Sequence, residues 1–176
     1  MRAGDSAASA EFLAHVLGEL KELARSKLAR ERAGHTLQPT ALINEAWLRL
    51  GAGTSLDVHD RAEFLGIAAH AMREVLVDHA RSKRAGKRGG GRKRVTLDVS
   101  SMEMAPADSS LDVLDLHEAL EKLSDEDAEL ARIVELRYFG GLTLEETSQL
   151  LGKSLSQVHR AWLVARGWLH RRLAGI

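Results

Sequence analysis

The sequence predicts an all-α fold, and three observations carry that reading. Apolar residues recur at the three- and four-residue spacing of helices, and no convincing alternating strand pattern appears. Ser, Thr or Asp followed three places on by Glu or Gln marks several helix starts. A stretch rich in Gly, Lys and Arg then divides the chain into two unlike halves. The 176 residues suffice for two small helical domains joined by a flexible linker.

The elements follow in order. A first helix runs from about Ala8 to Arg32, with Phe12, Val16, Leu20, Leu23 and Leu28 on its apolar side. Pro39, favoured in a first turn, opens a second helix with Leu42, Ile43, Ala46, Trp47 and Leu50 inward, stopped by Gly51–Gly53. Asp60 and Glu63 form a capping box for a third helix, from Arg61 to about Lys83. Its core stripe is Phe64, Ile67, Ala68, Ala71 and Val75, with Asp78 on the buried side, while His70, Arg73, Arg81 and Arg84 project opposite. Ala85–Arg94 holds four Gly and cannot be a stable helix; with Val95–Asp112 it reads as the linker. Four helices follow, at about Asp112–Leu123, Asp125–Phe139, Leu144–Leu151 and Leu155–Leu173. This divides the chain into domains at 1–85 and 112–176, with a linker at 86–111.

Composition narrows the function. With no Cys there are no disulfides and no thiolate metal sites, which fits a reducing cytoplasm. No apolar run reaches the roughly 20 residues of a membrane span, and the first residues lack the apolar core of a signal peptide. A soluble cytoplasmic protein is expected. The net charge of zero hides a segregation: residues 1–94 carry 17 Lys and Arg against 11 Asp and Glu, and residues 95–176 carry 8 against 14. The acids crowd between Asp98 and Glu146, after which the chain turns basic again. Two cationic surfaces separated by an acidic stretch suggest two nucleic-acid contacts.

The most informative segment is Glu145–Arg166. Thr143 with Glu146, and Ser154 with Gln157, start two helices around a turn at Gly152. The second has an apolar back of Val158, Trp162, Ala165, Leu169 and Leu173, and a front of Ser156, Gln157 and Arg160. Lys153 to Arg172 holds five basic residues and no acidic one. A helix-turn-helix needs this arrangement, because N-terminal side chains reach base edges while flanking cations meet phosphate. The third helix, with its Arg-rich front leading into a Lys/Arg/Gly tract, is suited to follow a phosphate backbone. His70 and His79 match no compact zinc motif, and no nucleophilic triad or phosphate loop is present. Neither a metal site nor a cofactor is expected. Trp47 and Trp162 lie on apolar stripes and read as core rather than base-stacking residues.

Three strings in order, TLQPTALINEAWLRL, RAEFLGIAAHAMREVLVDHARSKRAGKRGGG and LHEALEKLSDEDAELARIVELRYFGGLTLEETSQLLG, resemble the extracytoplasmic-function (ECF) sigma factors of bacterial RNA polymerase. The resemblance covers about residues 8–173. It implies a non-enzymatic subunit that binds core polymerase and directs initiation at −10 and −35 promoter elements. Leu42–Leu50 is similar to the helix that docks on the β′ clamp, with Asn44, Glu45 and Arg49 as its contacts. Arg61–Arg84 resembles the −10 helix, with Arg73, Arg81 and Arg84 on phosphate and His70 and Glu74 near an exposed base. Leu155–Arg166 resembles the −35 recognition helix, with Ser156, Gln157, His159, Arg160 and Arg166 as contacts and its neighbours at the β flap. Partners implied are core RNA polymerase and promoter DNA, with room for an anti-sigma factor or other protein inhibitor, and no membrane. Glu74, Ala41, Gln157 and His159 depart from the residues frequent in the family, which bears on promoter preference. The rival readings are a stand-alone helix-turn-helix regulator and a protein-binding adaptor; a metal-dependent nuclease comes last for want of ligands.

Overall fold

A computed structural model describes residues 3–28, 37–51, 60–85, 95–98 and 110–175. Among these the chain forms α1 (Ala3–Leu28), α2 (Pro39–Gly51) and α3 (Arg61–Ala85), then two short strands, β1 (Thr96–Asp98) and β2 (Ser110–Asp112). Helices α4 (Val113–Glu126), α5 (Ala128–Val134), α6 (Leu144–Leu151) and α7 (Leu155–Ala174) complete it, with one π-helical turn, Glu135–Phe139, closing α5. The fold is all-α, as the periodicity predicts. The expected end of the first helix, the glycines after Gly51 and the basic tract 86–94 lie outside the described residues.

Local chemistry explains the starts and stops. Asp60 accepts a hydrogen bond from the Ala62 N–H at the head of α3, at 3.4 Å. Asp127 does two jobs at one corner: its N–H closes α4 on the Leu123 carbonyl, and its side chain accepts from the Glu129 and Leu130 N–H groups that open α5. Both expected capping boxes on α6 and α7 form reciprocally, and Gly152 takes the left-handed conformation between them (φ 63°).

Three features differ from the sequence reading. The ends of the expected linker pair with each other: β1 and β2 form an antiparallel ladder, Thr96 opposite Asp112 and Leu97 opposite Leu111. Val95 and Leu97 are buried there, so a short alternating pattern does the work of a strand. The helix read through to Phe139 opens into the π turn, where the Gly140 N–H bonds back to the Glu135 carbonyl at 3.1 Å. Gly140 is required at that point, since a Cβ on it would stand 2.5 Å from the Leu136 carbonyl oxygen.

The third difference is the largest. The third helix is buried on two sides, not one. Besides the stripe that packs on α1 and α2, its residues Leu65, Gly66, Ala69, Met72 and Leu76 are also buried, and α3 contacts the π turn, α4 and α6. Gly66 marks the closeness of this seam, because a Cβ there would meet Leu136 and Leu150 at 3.0 and 3.2 Å. The two halves therefore share one continuous apolar core.

Candidate nucleic-acid interface

On α7 the sequence places an apolar back and a polar front, and the structure does the same. Val158, Trp162, Ala165 and Leu169 are buried, while Ser156, Gln157, His159 and Arg160 are exposed and Arg166 is half-buried. Ser154 holds the start of the helix by accepting from the Gln157 N–H at 3.2 Å. Gln157 returns the bond, its Oε1 accepting from the Ser154 N–H at 2.9 Å. The candidate base-reader Gln157 is thus also half of the capping box that starts its own helix. Arg160 makes no ion pair with Glu146, which instead binds Arg61 of α3.

The front of α3 is arranged differently. The sequence predicts that it projects outward; instead Arg73 and Arg84 meet carboxylates of the second half and Arg81 lies against His117. Arg73, only 13% exposed in its side chain, bridges Glu121 of α4 and Glu135 of the π turn. The Glu135 contact is 3.2 Å, and the same carboxylate lies 3.1 Å from His70 Nδ1. Arg84 binds Asp112 at 3.1 Å, the residue whose side chain also caps α4. His117 of α4 sits between Arg73 and Arg81, 3.0 Å from the first and 3.5 Å from the second. Glu74 is exposed and 3.7 Å from Arg49 of α2.

Asp78, expected on the buried side, is exposed and pairs with Arg49 at 2.5 Å. The turn of α3 places it beside α2 at the surface, so the ion pair is present but not internal. Asn44 and Glu45 are exposed on α2 beside Leu48, itself a large exposed apolar residue. Arg49 is divided between that surface and its two partners on α3. Trp47 packs toward Phe64 with ring centres 6.1 Å apart, a core role. Trp162 lies under the Arg137 guanidinium at 4.3 Å.

The electrostatics of the seam follow from this crowding. Burial alone would raise the Glu135 carboxyl, but the hydrogen bond and charge of His70, then Arg132 and Arg73, outweigh it and hold the group below its ordinary value. Burial lowers His117, and the neighbouring Arg73 charge lowers it further against a smaller opposing pull from Glu121. A neutral imidazole can accept from Arg73, whereas a protonated one would repel it. Among the described residues no group of three or more His, Cys, Asp or Glu side chains is placed to hold a metal ion, and no helix is long and apolar enough to cross a membrane.

The family model described as ECF sigma factor matches residues 1–175. The chain belongs to that family. No curated protein and no solved structure matches it. As a sigma factor it serves to direct transcription rather than to catalyse a reaction, and its family associates with RNA polymerase and promoter DNA. Local reading of the sequence missed the partners of this sigma factor's α3 cations, namely Glu121, Glu135, Asp112 and His117. The charge segregation between its halves was the available signal.

Proposed function

We propose that this ECF sigma factor docks on core polymerase through α2, holds the melted −10 strand on α3 and reads the −35 element with α7. Residues 1–85 and 112–176 act as the two promoter-binding modules, and 86–111 spans between them. Asn44, Glu45 and Arg49 contact the β′ clamp. His70, Arg73, Glu74, Arg81 and Arg84 serve the −10 element, the arginines on phosphate. Ser156, Gln157, His159, Arg160 and Arg166 serve the −35 element, with the neighbouring surface at the β flap. The work is cytoplasmic, and an anti-sigma factor or other protein inhibitor is a fitting means of control.

The observation that carries this reading is α7: a doubly capped helix whose buried back leaves Ser156, His159 and Arg160 facing solvent near its N-terminus. Catalysis is delegated to the polymerase, while this chain contributes base contacts and a basic surface. In vitro transcription with core polymerase on a promoter library tests it. A narrow set of paired −35 and −10 sequences should be transcribed only when the chain is added. Specific DNA binding without any polymerase-dependent transcription would favour a stand-alone regulator instead.

A further inference from the structure

We infer that Leu163 and Val164, on the outward face of α7, select thymine at the −35 element by contact with its 5-methyl group, and that Gly167 lets the bordering DNA strand approach the helix. The inference rests on the −35 reading of α7 and adds what the apolar part of that face recognises. Among the described residues four large apolar side chains are exposed, and three of them, Leu155, Leu163 and Val164, belong to α7. Leu163 and Val164 are 47% and 57% exposed, and both lie one helical turn beyond Arg160. The buried back of Val158, Trp162, Ala165 and Leu169 faces the other way. The described part of the fold leaves the pair uncovered, so a partner that covers it gains apolar burial.

Gly167 supports the same conclusion. It lies inside α7, where Gly is disfavoured relative to Ala. Its backbone is not left-handed, so conformation does not call for Gly either. Among the described residues a Cβ on it would meet only the Arg171 guanidinium outside the local helix backbone, at 3.7 Å, an ordinary contact. No demand within the fold explains the missing side chain; close approach from outside does. Gly167 follows Leu163 and Val164 by one turn, so Ser156, Arg160, Leu163, Val164, Gly167 and Arg171 form one strip along the helix. Charge names the occupant. Exposed Arg160 and Arg171 flank the apolar pair and the bare backbone, and no acidic residue occurs from Lys153 to Arg172. DNA fits such a strip, because its major groove presents one apolar group, the thymine methyl, between two anionic strands. The lengths agree: at ~1.5 Å per residue, α7 carries Leu163 about 10 Å past Ser156 and Gly167 about 16 Å. A groove about 12 Å wide then holds the pair over the bases and brings Gly167 to its wall.

The experiment uses the full chain with core polymerase, on a promoter returned by selection from randomised −35 elements. Each thymine of that element is replaced singly by uracil, which lacks the 5-methyl group and keeps the same hydrogen-bonding edge. With the parent chain at least one exchange should weaken promoter binding about fourfold, the size of one buried methyl contact. Leu163→Ala with Val164→Ala should bind the thymine and uracil promoters alike, at the weaker level, whereas Arg160→Ala should keep the difference between them. Gly167→Leu should weaken binding on every −35 sequence without lowering thermal stability, and circular dichroism verifies the fold of each variant. A selected element without thymine, equal binding of thymine and uracil by the parent chain, or a difference that survives the double variant would each overturn the inference. Dependence on the −35 sequence in that same assay leaves the reading of α7 standing. Undiminished binding by Gly167→Leu overturns the close approach. A double variant that binds core polymerase more weakly in the absence of promoter assigns the patch to a protein and overturns the thymine contact. Scrambled −35 elements bound as tightly as the selected one remove the reading of α7, and the inference with it.

Discussion

Helices α3 and α7 present the same chemistry in opposite states. Each has an apolar back and a cationic front, and each is assigned to a promoter element. Yet the front of α7 is open to solvent, whereas that of α3 is pressed against carboxylates from α4 and the π turn. The difference does not lie in the cations. It lies in what stands opposite: α7 packs through its back alone, while α3 is apolar on a second side as well and draws a neighbour over its charged face. A basic helix is available to nucleic acid only when its flanks give no protein surface a reason to cover it.

The strongest way to break the comparison is to loosen that second side. Leu136 is fully buried at the seam, and Leu136→Ala should cost about 2–5 kcal/mol of stability in denaturant unfolding. Increased hydrogen exchange should appear at α3 rather than at the exposed front of α7. A cost well under this range, with α3 still protected, would show that the seam contributes little.

The open helix gives a sharper and smaller effect. Arg160→Ala should cost about 1–3 kcal/mol at one promoter position and relax preference there, read by selection on randomised −35 elements. Because Arg160 lies away from the seam, unfolding stability should stay within about 0.5 kcal/mol of the parent chain. An unchanged consensus would remove its base-reading role.

Acid should act on the seam over α3. His117 is held below its ordinary value of 6.5, so the unfolded or opened chain takes up that proton more readily than the closed one. The stabilisation is present above 6.5 and fades as pH falls through that value. Glu135 works in the same sense further down: its carboxyl is held below 4.5, so its contribution is present above 4.5 and lost as pH falls through the depressed value. Thermal unfolding followed from about pH 8 to about pH 5 should show a modest decline of Tm that His117→Gln removes. A flat profile in the parent chain would argue against a neutral, half-buried His117.

The sequence makes α6 and α7 almost fully legible, because capping boxes, a left-handed Gly and a single apolar stripe are local signals. Residue by residue, Thr143, Gly152, Ser154 and Val158 stand as their spacing requires. The front of α3 was not legible by the same means. Arg73 and Glu121 are 48 residues apart, and no periodicity relates them. Leu65, Ala69, Met72 and Leu76 lie off the stripe that defines the core face, and reading one stripe concealed the second. The β1–β2 ladder has three residues on each strand, too few for alternation to stand out. The π turn depends on Gly140 approaching the backbone of α3, a condition set by tertiary contact.

The reciprocal bond between Ser154 and Gln157 has a chemical consequence for α7. With Oε1 accepting from both the Ser154 N–H and the Ser154 hydroxyl, the Gln157 amide keeps only its two N–H groups for anything in front of it. The two-pronged match to adenine, which needs both an acceptor and a donor, is closed to it while the helix start stays tied. As a pure donor it suits a major-groove edge that offers oxygen or N7, and it finds nothing on cytosine, whose edge there presents only an amino group. On the proposed reading of α7 as the −35 helix, the helix start would then filter the alphabet at Gln157: three bases remain acceptable and one is refused.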